Sequence, residues 1–284
     1  MLKEAHLDYE DIPKIKSLID HVKVSEDVLV IRSGAKIVSQ QRWIEILGQD
    51  CGLTSDKRHF DPDWAAREAE RLLREGQSIS GSSSMERIPV ERQMLLTQWG
   101  EISYQPDKAT SYQYSKTPQP FHTDNGWFQY PPEISFFIME KQVAVGGEQT
   151  VYAASRLVDD LQTESPALLD DLQNIKVVIR KGDHDSYNRT TVIRYDGQQP
   201  KLAWNYYRVV RENPEIDAMC EAFFDFLQGK VETASVERIR CETGDCMSFN
   251  DLHMLHGRTA FEAQNPRDRV LLHSMWKMPQ RGSQ

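Results

Sequence analysis

The segment PQPFHTDNGW (residues 118–127) places His122 and Asp124 two positions apart. On an extended strand, residues i and i+2 point to one face, so both side chains can reach a single point. An imidazole nitrogen with a carboxylate oxygen suits a divalent transition metal of intermediate softness. Two histidines and one carboxylate around a metal with open positions opposite is the arrangement of non-haem Fe(II) oxygenases. The spacing alone is a weak signal, because His6-Leu7-Asp8 shows it too, in a charged segment with nothing behind it.

A third ligand is available in MSFNDLHMLHGRTAF (residues 247–261), where His253 and His256 compete for the place. His256 lies 132 positions beyond Asp124, far enough to occupy a different strand of a folded sheet. Further on, RDRVLLHSMW (residues 267–276) sets Arg269 directly before an apolar run. A buried arginine needs an anionic partner, since an unpaired internal charge is costly. Its planar fork matches a carboxylate bidentately. An anionic co-substrate with a terminal carboxylate is the economical explanation.

Several elements must position these groups. Ile12 to Val22 has apolar residues at helical spacing, and DVLVIRSG ends a short apolar run at Gly34, as a buried strand would. Ser39 to Leu47 reads as a helix opened by a serine cap, and Asp63 to Glu75 as a second, rich in good helix formers. GQSISGSSS (76–84) reads as a linker or a loop near a site mouth. Residues 96–104, 111–115 and 134–139 are rich in aromatic and β-branched residues and read as strands. Helices are expected over 155–173, broken at Pro166, and over 214–228, with Pro at the first position. Strands are expected at 175–180, 190–195 and 201–205, and short strands with turns over 246–276. Many short strands framed by helices predict an α+β protein built on a β-barrel or sandwich. No linker separates two independent halves.

Four stretches, in order, resemble the taurine dioxygenase-like (TauD/TfdA) family of the clavaminate synthase-like oxygenases. DVLVIRSG with its following helix is similar to the family's N-terminal strand and helix. PFHTDNGW, PPEISFFIM and GGEQTVYA are similar to its first metal-ligand region. FNDLHMLHGRTAF and RDRVLLHSMW are similar to its second metal region and its oxoacid anchor. The likeness spans roughly residues 25–276. It implies a double-stranded β-helix (jelly-roll) core with flanking helices, in a single domain over 1–284. The N-terminal helices and strand would occupy about 1–80 and the core about 86–278. It implies Fe(II) held by His122, Asp124 and His256, with 2-oxoglutarate and O2 as co-substrates. His256 is preferred to His253 because it stands directly before the Gly-Arg pair. Arg269 matches the arginine that pairs with the far carboxylate of 2-oxoglutarate.

Two departures from the family pattern bear on binding. Where relatives carry Thr or Ser two residues after a Gly-Gly pair, this chain has Gln149, with Thr150 one later. Strand alternation lets only one of them face the site, and the small hydroxyl of Thr150 is the better fit beside a carboxylate. Many relatives place a further arginine four residues after the anchor; here it is His273.

The resemblance implies decarboxylation of 2-oxoglutarate to succinate coupled to oxidation of an unactivated C–H bond. A carboxylate at Asp124 favours hydroxylation over halogenation, while desaturation and ring closure use the same ligand set. A non-catalytic binding protein on the same fold is the rival reading. Gln113, Ser115 and Asn125 are candidates to line a substrate pocket. The expected substrate is a small polar metabolite, such as an amino acid or sugar acid.

Composition narrows the classes further. The 284 residues carry a net charge of -9, with 39% hydrophobic and 27% charged residues. No basic cluster suggests nucleic-acid binding. No apolar stretch approaches the ~20 residues that span a bilayer. The N-terminus lacks a signal peptide's apolar centre. Cysteines 51, 220, 241 and 246 fit no zinc or disulfide framework, so a cytoplasmic protein with reduced thiols is expected. There is no GxSxG elbow, Walker loop or GxGxxG motif.

Overall fold

The computed structural model describes residues 2–6, 11–34, 38–56, 99–181 and 187–279. The expected helix at Asp63 to Glu75 and the Gly/Ser stretch at 76–84 lie outside them. Within them, two β-sheets face each other across an apolar layer, and helices cover both outer faces.

The larger sheet joins β1 (Leu2–His6), β2 (Val28–Arg32), β14 (Cys246–Asn250), β6 (Ile134–Lys141), β16 (Val270–Lys277) and β3 (Thr54–Ser55), in that order. A further strand, β4 (Gly100–Ser103), also pairs with β16. The smaller sheet runs β13 (Glu237–Ile239), β7 (Gln149–Ala153), β15 (Met254–Arg258), β5 (Gln119–His122), antiparallel throughout. Side chains alternate across each strand with period two. Phe137 and Met139 of β6 therefore meet Val151 of β7 and Met254 of β15 between the sheets. The intervening Phe136 and Ile138 point outward to Ile15, Ile19 and Trp43.

Those last residues belong to α1 (Ile12–Val22), which spans the residues its periodicity predicts, and α2 (Gln40–Glu45), capped by the Ser39 hydroxyl. α2 runs on into a single wide turn at Ile46–Asp50. Three helices cover the smaller sheet: α3 (Ala154–Glu164), α4 (Pro166–Asn174) and α5 (Pro214–Lys230). Proline opens α4 and α5, where its missing N–H costs nothing. Leu157, Leu161, Phe223 and Leu227 of this layer bury against Phe121, Tyr152 and Leu255. Two small sheets flank it. One joins β8 (Lys176–Arg180), β9 (Tyr187–Thr191) and β12 (Val209–Val210). The other joins β10 (Ile193–Asp196) and β11 (Gln199–Leu202).

Two strand expectations need correction. Residues 111–115 form turns, with the Tyr114 amide donating to the Ser111 carbonyl at 2.9 Å. The aromatic alternation of SYQYS mimics a strand, but the segment only grips the end of β4, through Ser103 and Gln105 amides. The run 190–195 is split at Val192 into β9 and β10, which belong to different sheets.

Candidate metal centre

His122 and His256 are direct neighbours across β5 and β15. On the far side of β15, His256 pairs with Val151, whose side chain lies between the sheets. Both imidazoles thus face the inter-sheet layer at its open end, with ring centroids 4.2 Å apart. β5 stops at His122, so Asp124 lies in the following turn and not on the strand. The Asp124 amide donates to Asp251 Oδ2 at 2.9 Å, and the Thr123 amide to the Trp204 carbonyl at 2.7 Å. These bonds do what a continued strand would have done. Asp124 Oδ1 lies 3.7 Å from His122 Nε2, and its Oδ2 lies 3.5 Å from His256 Nε2.

One ligand atom from each of the three residues falls within 4.8 Å of the other two. A metal held at ~2 Å from two nitrogens and one oxygen needs donors about 3 Å apart or slightly more, so the set fits a cation with little adjustment. His253 is elsewhere: its Nδ1 meets the Pro200 carbonyl at 2.7 Å. His6 of the second HxD spacing is exposed on β1, and Asp8 lies outside the described residues.

Protonation is polarised across the site. His122 donates Nδ1–H to the Pro120 carbonyl at 2.9 Å, which leaves Nε2 as the free lone pair. Burial, and then the neighbouring His256 charge, lower its pKa to about 4. Burial also disfavours charge on His256, but Asp124 and Asp251 outweigh it and raise that pKa to about 10. Asp251 Oδ1 stands 3.3 Å from His256 Nδ1 and favours its charged form. Burial, helped by the Asp124 charge, pushes Asp251 up to about 7. Burial opposes ionisation of Asp124 too, yet His256, His273 and His122 hold it well below the carboxylate range.

A cavity of about 140 Å³ opens on this cluster. His122, Asp124, His256, Gln119, Gln149 and Arg258 form one side, and Phe137, Leu271 and His273 the other. His273 stacks on Phe137 with centroids 4.2 Å apart and sits 3.6 Å from Asp124 Oδ2. Gln149 faces this cavity, whereas Thr150 lines a separate hollow on the outer face of the sheet. The preference for Thr150 is thereby corrected. Register places Gln149 opposite Arg258 and Thr150 opposite Gly257, and alternation does the rest.

Arg269 is 1% exposed. Its Nη2 donates to the Gly147 carbonyl at 3.1 Å and to the Gln149 side-chain oxygen at 3.1 Å, while the Gln149 nitrogen donates to the Gly257 carbonyl at 3.0 Å. Gly147, at φ +76°, is required here, because a Cβ would stand 2.8 Å from Arg269 Nε. Arg258 is equally sunk. Its Nη2 donates to the carbonyls of Ser115 and Thr117 at 3.0 and 2.9 Å, and weakly to Tyr112 at 3.4 Å. Burial lowers both guanidinium pKa values, to about 9 for Arg269 and about 10 for Arg258. Among the described residues no carboxylate pairs with either, and both Nε–H groups lack acceptors.

Of the three candidate pocket residues, Gln113 lines the cavity and donates to the Glu101 carbonyl at 2.8 Å. Ser115 and Asn125 are buried away from it. The Ser115 hydroxyl pairs with that of Thr117 at 2.7 Å, and Asn125 holds the turn after His122 at φ +56°. Trp127 and Trp204 are core residues, while Tyr207 is exposed and bonded to the Tyr112 hydroxyl at 2.9 Å. Asp251, Gln119 and Arg258 escaped the sequence reading as site residues. Of the three, only Arg258, two positions after His256, carried a usable signal.

Residues 61–276 match the taurine catabolism dioxygenase TauD, TfdA family. No curated protein sequence matches the chain. Among solved structures, an asparagine oxygenase in complex with Fe(II), 2S,3S-3-hydroxyasparagine and succinate is 12% identical. Its TM-score is 0.56, with 96% of this chain and 92% of that one covered. The non-heme iron oxygenase OrfP, in complex with Fe and alpha-ketoglutaric acid, is 15% identical at TM-score 0.57, covering 93% and 79%. A taurine dioxygenase from Burkholderia xenovorans is 13% identical at TM-score 0.59, covering 97% and 86%. At these identities the likeness is one of fold, and the family match over three quarters of the sequence decides the membership. This chain belongs to the TauD/TfdA dioxygenase family.

Proposed function

We propose that the protein is an Fe(II)- and 2-oxoglutarate-dependent dioxygenase that hydroxylates an unactivated C–H bond of a small polar metabolite, an amino acid or a sugar acid. One observation carries this reading. Three metal-ligating side chains converge beside a cavity whose nearby buried guanidinium, Arg269, has no carboxylate partner among the described residues. The two facing sheets are read as a double-stranded β-helix, and residues 1–284 as one domain. The amino-acid class is supported by fold neighbours described with hydroxyasparagine and hydroxyarginine, and by the polar wall that includes Gln113.

His122 Nε2, Asp124 and His256 Nε2 would hold the iron, leaving the cavity side of its coordination sphere open. Bound there, iron with 2-oxoglutarate and O2 supplies oxidising power that no side chain has. The protein's own contributions are positional. The Pro120 carbonyl fixes the His122 tautomer. Asp251 steers His256 and, through the Asp124 amide, the turn that carries the carboxylate. Arg269, locked by Gly147 and Gln149, would take the far carboxylate of the oxoacid. Phe137 and Leu271 keep the cavity's inner wall apolar.

The test is anaerobic addition of Fe(II) and 2-oxoglutarate. A weak visible band near roughly 500 nm, expected for a chelated non-haem iron, should form in the wild type and be lost in His122→Ala. A screen for succinate release over amino acids and sugar acids then names the substrate. Turnover confined to large hydrophobic compounds would overturn the substrate class, and an unchanged band in His122→Ala would overturn the ligand set.

A further inference from the structure

The ladder between β5 and β15 is irregular at the metal centre. His122 pairs with His256 and Gln119 pairs with Arg258, so two residues of β5 stand opposite the single Gly257. That is a β-bulge, and it alters which side chains share a face. On a regular strand, Gln119 would point away from His122, because three positions is an odd step. The bulge removes the mismatch and turns Gln119 to the same side. Its Nε2 reaches His122 Nε2 at 3.1 Å, and its side chain lines the cavity. Gly257 is what permits the close approach: a Cβ there would strike the Gln119 carbonyl oxygen at 2.6 Å.

The direction of that hydrogen bond is fixed. His122 gives its Nδ1–H to Pro120 at 2.9 Å, so Nε2 has a lone pair and no proton, and the Gln119 amide is the donor. Iron binding needs the same lone pair. The cation and the amide N–H cannot both use it, so a bound metal would leave Gln119 without this acceptor, beside the cavity it lines. A donor in this half-enclosed cavity is costly to leave without an acceptor, and two of its neighbours on this wall offer little. Arg258 presents only donors, and the Gln149 oxygen and nitrogen are already committed to Arg269 and the Gly257 carbonyl.

Resting on the oxygenase reading above, we infer that Gln119 is a positioning residue whose amide, displaced from His122 by the metal, donates to the iron-bound oxygen of the oxoacid. The bulge thereby couples two events. The amide rests on the ligand histidine in this structure, and with metal bound it would turn to the co-substrate. Gln119 sets how the oxoacid lies against the metal, while Arg269 holds its far end.

The experiment compares full-length wild type, Gln119→Leu and Gln119→Glu under anaerobic conditions. Fe(II) is titrated first, then 2-oxoglutarate, with affinity and the position of the visible band as readouts. Circular dichroism checks the fold. Gln119→Leu should bind Fe(II) at least as tightly as wild type, since nothing competes for the His122 lone pair. It should bind 2-oxoglutarate about tenfold more weakly, as expected for one lost hydrogen bond to a charged group, and with a displaced band. Gln119→Glu should weaken 2-oxoglutarate further by like-charge repulsion while strengthening Fe(II). Wild-type affinity and band position in Gln119→Leu would overturn the inference. So would loss of Fe(II) binding in that variant, which would make the Gln119 carbonyl a metal ligand instead. A wild type that shows no band at all would remove the oxygenase reading together with this one, whereas an intact wild-type band with an unaffected Gln119→Leu removes this one alone.

Discussion

Two regions of the molecule bury cations, and they treat them in opposite ways. Under the end of α5, Lys230 is 7% exposed, and its ammonium bonds to Glu164 and lies 3.8 Å from Asp160. Asp160 in turn accepts from the buried Tyr152 hydroxyl at 2.6 Å. At the open end of the two sheets, Arg258 and Arg269 are buried more deeply and, among the described residues, are met only by carbonyl and amide oxygens. A cation answered by carboxylates of its own chain is complete and serves packing. A cation left with neutral acceptors and an orphan N–H is what the proposed function needs to meet a charge that arrives from outside.

The sharpest way to break this contrast is Arg269→Gln. Removing the guanidinium should raise the dissociation constant for 2-oxoglutarate by about a hundredfold, the scale of a lost charge-assisted bidentate pair. Because the described residues supply no counter-charge, the melting temperature of the ligand-free protein should hold or rise. Anaerobic titration of the visible band and a thermal melt report the two quantities. A large fall in melting temperature with unchanged affinity would show that Arg269 is a structural cation like Lys230.

Lys230→Met is the converse. It removes the buried cation beside Asp160, which keeps Arg156 Nε at 3.3 Å and the Tyr152 hydroxyl at 2.6 Å. Stability should fall by about 2 kcal/mol, below the full cost of breaking a buried pair because Glu164 is half exposed. Affinity for 2-oxoglutarate should stay within about twofold, since additivity holds for distant sites. Chemical denaturation checks the first, and the same anaerobic titration the second.

The difference between the two regions was only half legible in the sequence. Residue types and short spacings announced His122, Asp124, His256 and Arg269, because ligand chemistry is a property of the side chain and HxD needs only one local bend. What surrounds each group is set by pairing across more than a hundred positions, which no local pattern encodes. Parity on β7 decides that Gln149 and not Thr150 reaches Arg269, and parity follows from register with β15. Gln119 was hidden by the bulge that carries it to the metal face. Nothing in HGRTAF says that Arg258 will meet the carbonyls of 115 and 117. The helices are legible for the complementary reason: α1 and α5 are specified by their own periodicity and caps. The segment 111–115 resembles a strand in sequence because alternating aromatics suit a turn pressed on a strand end as well as a strand.

His256 is the intermediate case and sharpens the contrast. It is a buried cation with its own carboxylates, like Lys230, yet the charge that Asp124 and Asp251 stabilise is a removable proton. Burial disfavours that proton, but the two carboxylates raise the His256 pKa to about 10, so the ligand-free site carries it at neutral pH. A metal needs the lone pair and must expel the proton, so affinity rises with pH while His256 would otherwise be charged. His122, lowered to about 4, is already neutral above pH 5 and adds no slope. Asp251, raised to about 7 by burial and by Asp124, is partly protonated below that pH. A bound cation favours its ionised form, which releases a second proton there. The logarithm of the Co(II) association constant should therefore climb about one unit per pH unit between pH 7 and 9, and more steeply from pH 6 to 7. Calorimetric titrations in buffers of different ionisation enthalpy count the protons directly. Affinity that stays level from pH 6 to 8 would mean that His256 is neutral before the metal arrives, and that Asp124 and Asp251 shape the site without charging it.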